Sequence, residues 1–234
     1  MKSQIVERLL PVPVHSGYKE NGYFVWCGSL IKADGQYHLF ASRWPEPTGF
    51  PQGYRDNSEI VRATAPRAVG PYRFAEVVLV GRGAPHWDGK MCHNPKITRI
   101  GRMYVLYYIG SACTSGLRKI GYAWSLSVEG PWTRVDEPVS LGEDANNPAP
   151  YVHADGSILL AYRDHGLHMH IAQAPSFRGP YRVLVRDIFP QGSLEDPDLF
   201  FQQGEYHMVM EDNQGILTGN VGFGGHLVDR KSVV

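Results

Sequence analysis

Four polar pairs stand out because each opens an apolar run at a comparable place in the chain: Trp26-Cys27, His93-Asn94, Asn146-Asn147 and Glu195-Asp196. In three of them proline follows directly (Pro95, Pro148, Pro197), and proline fixes the local backbone. Each pair alone reads equally as turn chemistry, since Asn-Pro and Asp-Pro favour turns. Repetition in register gives them a second meaning. If the fold gathers the four pairs in one place, they make a polar site of amides, imidazole and carboxyls, suited to a hydroxyl-rich ligand. Trp26, Trp44 and Trp87 offer flat apolar faces beside it, and Arg43 a hydrogen-bond fork. Aromatic residues make up 12% of the chain, a richness that serves sugar faces and sheet packing alike.

The elements that must position these pairs repeat with them. One signature is the polar pair, an apolar strand, a turn with glycine and a second apolar strand. It reads WCGSLIKADGQYHLFAS, HNPKITRIGRMYVLYYIGS, NNPAPYVHADGSILLAYRD and EDPDLFFQQGEYHMVMED. The turns hold Asp34-Gly35, Gly101, Asp155-Gly156 and Gly204, which is hairpin chemistry. A second signature closes each of the first three units: Ile-x-x-Ala, a turn, then Gly70-Pro71-Tyr72, Gly130-Pro131-Trp132 or Gly179-Pro180-Tyr181. Proline cannot donate to a sheet ladder, so it fits the start of an outer strand. Each unit is thus four short antiparallel strands, recurring at about 50 to 65 residues, which reads as a blade of an all-β propeller. A β-sandwich would not explain two signatures repeating in phase. The expected blades cover about 20–85, 86–140, 141–190 and, incomplete, 191–234 of a single domain. The fourth unit shows no Gly-Pro-aromatic element, and a ring must close to cover its sheet edges. The sequence therefore predicts that the end of blade four and a fifth blade are missing, with the final DRKSVV lacking strand or cap logic.

Composition narrows the partners. Lys plus Arg and Asp plus Glu balance at 23 each, so no basic field suits a nucleic acid or a membrane surface. The cysteines, Cys27, Cys92 and Cys113, form no C-x-x-C pair, which argues against a disulfide framework or a zinc site. His168 and His170 alternate onto one strand face in HGLHMH, but no carboxylate-rich ligand set accompanies them, and neither a metal nor another cofactor is expected. The first residues hold no long apolar run, so the chain reads as cytoplasmic as written, or secreted or periplasmic if a segment precedes it. Oligomeric state is not legible.

The repeats carry a family resemblance. The frames GSLIKADGQYHLF, HNPKITRIGRMYVLYY and LEDPDLFFQQGEYHMVM resemble the blade openings of the five-bladed propeller glycoside hydrolases, families 43 and 32 and their relatives. The resemblance spans roughly 20–215 and implies an enzyme that cleaves a glycosidic bond of an oligo- or polysaccharide, releasing a unit such as arabinosyl, xylosyl, galactosyl or fructosyl. Such hydrolysis uses two carboxyl groups, one to protonate the leaving oxygen and one to activate water or attack carbon. The resemblance places the acid at Glu195, with Asp196 beside it to raise its pKa by like-charge repulsion. It also exposes a departure: Cys27-Gly28 and Asn94 stand where carboxylates belong. Asp88, just before His93-Asn94, is the first replacement base, with Asp56, Asp164 and Asp212 as the others. The expected substrate-binding residues are Trp26, Arg43, Trp44, His93, Asn94, Asn147, Asp164 and Asp212. Two alternatives stand beside hydrolysis. One is a non-catalytic carbohydrate-binding propeller. The other is a related phosphorylase, whose phosphate pocket would draw on Arg43, Arg163 and the histidines.

Overall fold

The computed structural model describes residues 10–142, 144–190, 194–212 and 214–216, and the strand at 227–231. Its architecture follows from the hairpin repeat. The first sheet is a meander of β1 (Tyr23–Ala33), β2 (Gln36–Pro45), β3 (Glu59–Ala65) and β4 (Arg73–Leu79). The second holds β5 (Met91–Ile100), β6 (Met103–Ser111), β7 (Arg118–Ser125) and β8 (Thr133–Arg134). The third holds β9 (Ala145–Val152), β10 (Ile158–Asp164), β11 (Met169–Ala174) and β12 (Arg182–Val185). The fourth holds β13 (Leu194–Gln202), β14 (Glu205–Asp212) and β15 (Leu227–Lys231). All pairings are antiparallel, and in each sheet the first strand packs against the first strand of the next: β1 on β5, β5 on β9, β9 on β13. Sheets radiating from a line of inner strands are the blades of a β-propeller.

The blades hold together through apolar faces pressed between neighbouring sheets. Phe40, Ile60 and Leu79 meet Leu106 and Tyr108 between blades one and two. Val105, Tyr107, Ile109 and Ile120 meet Ile158, Leu160 and Tyr162 between blades two and three. Leu159, Ala161 and Ile171 meet Leu194, Met208 and Met210 between blades three and four. Because β6 and β10 are covered on both faces, they read as continuous apolar runs rather than alternating ones. At the first hairpin, Asp34 (φ 47°) and Gly35 (φ 77°) both take the left-handed conformation that a tight hairpin turn needs. The Gly-Pro-aromatic elements end just before β4, β8 and β12, as expected for strand starts. In two of them the tyrosine hydroxyl bonds back to the turn: Tyr72 to the Ala68 carbonyl (2.6 Å) and Tyr181 to that of Phe177 (3.0 Å).

One expectation is corrected. Asp229, Arg230 and Lys231 of the terminal DRKSVV belong to β15, whose register against β14 pairs Val209 with Asp229 and His207 with Lys231. An edge strand draws its hydrogen bonds from its partner and tolerates charge, so residue type alone does not reveal it. The expected absence of a closing element in unit four concerns residues 217–226, outside those described. Among the described residues no helix is long and apolar enough to cross a membrane. The six-residue helix α1 (Gln52–Asn57) between β2 and β3 matters for the site rather than the core.

Candidate active site at the propeller mouth

One backbone device is repeated in all four blades. The register of the inner hairpin slips by one residue at the polar pair, between Trp26 and Ser29, His93 and Lys96, Asn146 and Ala149, and Glu195 and Asp198. Two residues then face one, a β-bulge. The second residue of each pair takes a left-handed conformation: Cys27 (φ 51°), Asn94 (φ 49°), Asn147 (φ 50°) and Asp196 (φ 45°). The bulge turns these side chains out of the pleat, and they line a common cavity of about 360 Å³ together with the first members of the pairs. The repeat thus brings together Trp26, Cys27, His93, Asn94, Asn146, Asn147, Glu195 and Asp196.

Asp196 lies at the focus. Its Oδ1 accepts from the Nδ2 of Asn147 (2.5 Å) and of Asn94 (3.4 Å), and the Cys27 thiol stands 3.9 Å from its Oδ2. Burial raises the Asp196 carboxyl above its ordinary range; the Asn147 bond works against that, and the Glu195 charge with it. Burial, then the Asp196 charge, also pushes the Cys27 thiol well up, so it stays protonated.

The carboxyl reading of blade four changes in detail. Glu195 forms an ion pair with Arg163 of β10, whose guanidinium is buried. Its cross-strand partner is Glu211 on β14, which also lines the cavity and which sequence reasoning missed. Burial raises the Glu211 carboxyl, and the charges of Asp196 and Glu195 add to it. Like charge thus contributes to the raised carboxyls on either side of Glu195, Asp196 and Glu211. A signal for Glu211 did exist: it faces the polar pair from the second strand, as Ile109 and Arg163 do in blades two and three.

Blade one supplies an aromatic wall. Trp26, 42% exposed, stacks on Phe50 (5.6 Å, 17°), and behind them lie Trp44, Tyr54 and His93. Phe50 and Tyr54 come from α1 and the turn before it, an insertion without a counterpart among the described residues of the other blades, which hid them from a repeat-based reading. His93 is buried with Nδ1 2.7 Å from the Ser58 hydroxyl; burial, then the Arg118 charge, lowers its pKa to about 3, so the ring is neutral. Arg55 and Arg118 complete the lining.

Other expected residues lie elsewhere. Asp88 is fully buried beneath blade two, bound by Arg82 Nε (2.6 Å), the Tyr108 hydroxyl (2.7 Å) and Arg134 Nη1 (3.2 Å), and it does not line the cavity. Arg43 points away from the mouth because the pleat sets it opposite to Trp44; it pairs with Glu20 and Glu59 and lies over the rings of Tyr23 and Phe74. Asp164, at the end of β10, binds His168 of the following turn and His170 of β11, and it lines a separate cavity with Asp144 and His165. Asp212 is buried at the end of β14 and accepts the Ile216 N–H. Asp56 sits on α1, paired with Lys90, and Trp87 stacks on Tyr108 outside the cavity. No group of three or more potential metal ligands occurs among the described residues.

No protein-family model matches the chain, and no curated protein matches it in sequence. Solved structures do match. A family 117 glycoside hydrolase from the marine bacterium Zobellia galactanivorans superposes with a TM-score of 0.65 at 20% identity, over 86% of this chain and 71% of that one. A GH43_1 enzyme from Xanthomonas citri complexed with xylotriose gives 0.67 at 16% identity, over 96% and 73%. The native arabinanase of Bacillus subtilis gives 0.63 at 18% identity, over 90% and 72%. The fold is therefore that of the propeller glycoside hydrolases of families 43 and 117.

Proposed function

We propose that this chain is a glycoside hydrolase whose centre is the facing carboxyl pair of Glu195 and Glu211. The observation that carries the reading is the convergence of four blades on one cavity where two glutamates are cross-strand partners in unlike surroundings. Direct cross-strand partners have Cβ atoms roughly 4.5–5.5 Å apart. Neighbouring carboxyls in unlike surroundings can divide into acid and base. Burial and the neighbouring charges raise the Glu211 carboxyl, which suits it to give a proton to the leaving oxygen. Glu195, held by its ion pair with Arg163, takes the proton of the attacking water or attacks the anomeric carbon itself. This exchanges the acid role that sequence reading assigned to Glu195. In the step with water, the glycosidic C–O bond breaks as Glu211 donates, water adds to carbon, and Glu195 receives the proton.

The wall of Trp26, Phe50 and Tyr54 suits the apolar face of a sugar ring, and neutral His93 and Asn94 suit its hydroxyls. Support for a carbohydrate substrate also comes from the similar structure that holds xylotriose.

A non-catalytic carbohydrate-binding propeller is the second reading, favoured by the thiol of Cys27 and the amide of Asn94 where acids belong in the resembling enzymes. Sugar release from a panel of aryl glycosides and plant oligosaccharides separates the two. Hydrolysis predicts turnover that Glu211→Gln and Glu195→Gln each reduce by about 10²–10⁴-fold. Saturable sugar binding without turnover by the folded chain would establish the binding module instead.

A further inference from the structure

Three of the four bulge residues donate and one accepts. Cys27 of β1, Asn94 of β5 and Asn147 of β9 all present hydrogen-bond donors to the single carboxyl of Asp196 on β13. We propose that Cys27, Asn94 and Asn147 are positioning residues: a donor cradle, one member per blade, that fixes the Asp196 carboxylate where the inner strands converge.

The backbone supports this. Left-handed φ at a cysteine carries a steric cost, and it persists only where the surroundings over-determine it. Here the same conformation recurs in every inner strand, and the backbone N–H of Asn94 is further tied to the Ser42 hydroxyl (2.9 Å). The donor chemistry is consistent across the ring. An amide offers N–H without a competing charge, and the Cys27 thiol stays protonated. Carboxyls at those three positions would instead repel Asp196 at hydrogen-bond distance. Orientation follows as well: with Asn94 Nδ2 committed to Asp196, its buried Oδ1 has no hydrogen-bond partner among the described residues.

The charged groups acting on Asp196 are Lys96 of β5, Arg163 of β10 and Glu195 on its own strand; Glu211 of β14 is coupled to it in turn. The cradle is the uncharged remainder of that environment. The inference rests on reading the mouth as a carboxyl-centred site, but its test observes the carboxyl rather than turnover.

The experiment is a pH titration of the full chain carrying ¹³C-carboxyl aspartate, followed by NMR, with the Asp196 resonance assigned by its loss in Asp196→Asn. Removing a donor to the charged form should move the midpoint upward, by about one pH unit or more in Asn147→Ala and by a smaller amount in Cys27→Ala. Cys27→Ser, which restores a donor, should return most of the shift. An unchanged midpoint in folded Asn147→Ala and Cys27→Ala would overturn the cradle. If Asn147→Ala does not fold, the Cys27 pair decides by the same criterion. Turnover on the glycoside panel is measured in parallel. Shifted midpoints without turnover keep the cradle and remove the hydrolase reading; turnover with unshifted midpoints does the reverse.

Discussion

Replacing Asp88 by asparagine should unfold the protein more readily without touching its chemistry. The Asp88 side chain has no exposed surface, and its two oxygens accept from Arg82, Arg134 and Tyr108 at 2.6–3.2 Å. The two guanidinium groups are themselves mostly withdrawn from water, with side-chain exposures of 18% and 16%. Asparagine keeps the shape but removes the charge, and its amide N–H₂ must face Arg82 or Arg134, whose guanidinium groups can only donate. Breaking one side of a buried ion pair costs about 3–5 kcal/mol, because the partner charges stay buried. For a chain of this length, roughly 2–4 °C is lost per kcal/mol. The melting temperature should therefore fall by about 6–20 °C, read by differential scanning calorimetry. Any activity per folded molecule should be retained below that transition. An Asp88→Asn protein with unchanged melting temperature and abolished turnover would refute the reasoning and return Asp88 to the catalytic set.

Stability should also depend on pH through His93. Its pKa is about 3 in the fold against an ordinary 6.5, so below 6.5 the unfolded chain takes up a proton that the native one does not. Stability is full above about pH 6.5 and declines as pH falls toward 3; His93→Gln should flatten that slope in urea titrations at stepped pH, and an identical slope would remove His93 as its source. Trp26→Ala should weaken sugar binding by about tenfold through lost ring contact while leaving the maximal rate nearly unchanged, a split in KM against kcat. Turnover should persist undiminished in phosphate-free buffer; a strict phosphate requirement would instead indicate phosphorolysis, with Arg55, Arg118 and Arg163 as the cations that line the cavity.

Much of the blade pattern was legible because it is local. The hairpin glycines, the Gly-Pro-aromatic strand starts and the apolar runs each act within a few residues, so they mark β1 to β14 in phase. The polar pairs were legible for the same reason: repetition in register implied one ring. Less legible were residues outside the repeat. Phe50, Tyr54 and Arg55 belong to an insertion in blade one, and no second copy announces them. Glu211 was hidden by its position late in a strand, where an acid reads as a solvent-facing strand end.

From the sequence alone followed the β-propeller and the four pairs that meet at its mouth. These depend on periodicity and residue type, which survive translation into structure unchanged. Only the tertiary structure decided which carboxyls face the cavity. Asp88, Asp164, Asp212 and Asp56 were the bases that the sequence offered, yet Arg82 and Arg134, His168 and His170, the Ile216 amide and Lys90 take them elsewhere. The reason is physical. A carboxyl's role is set by the charge and water around it in space, and at Glu195 and Asp196 those come from blades one to three, far away along the chain.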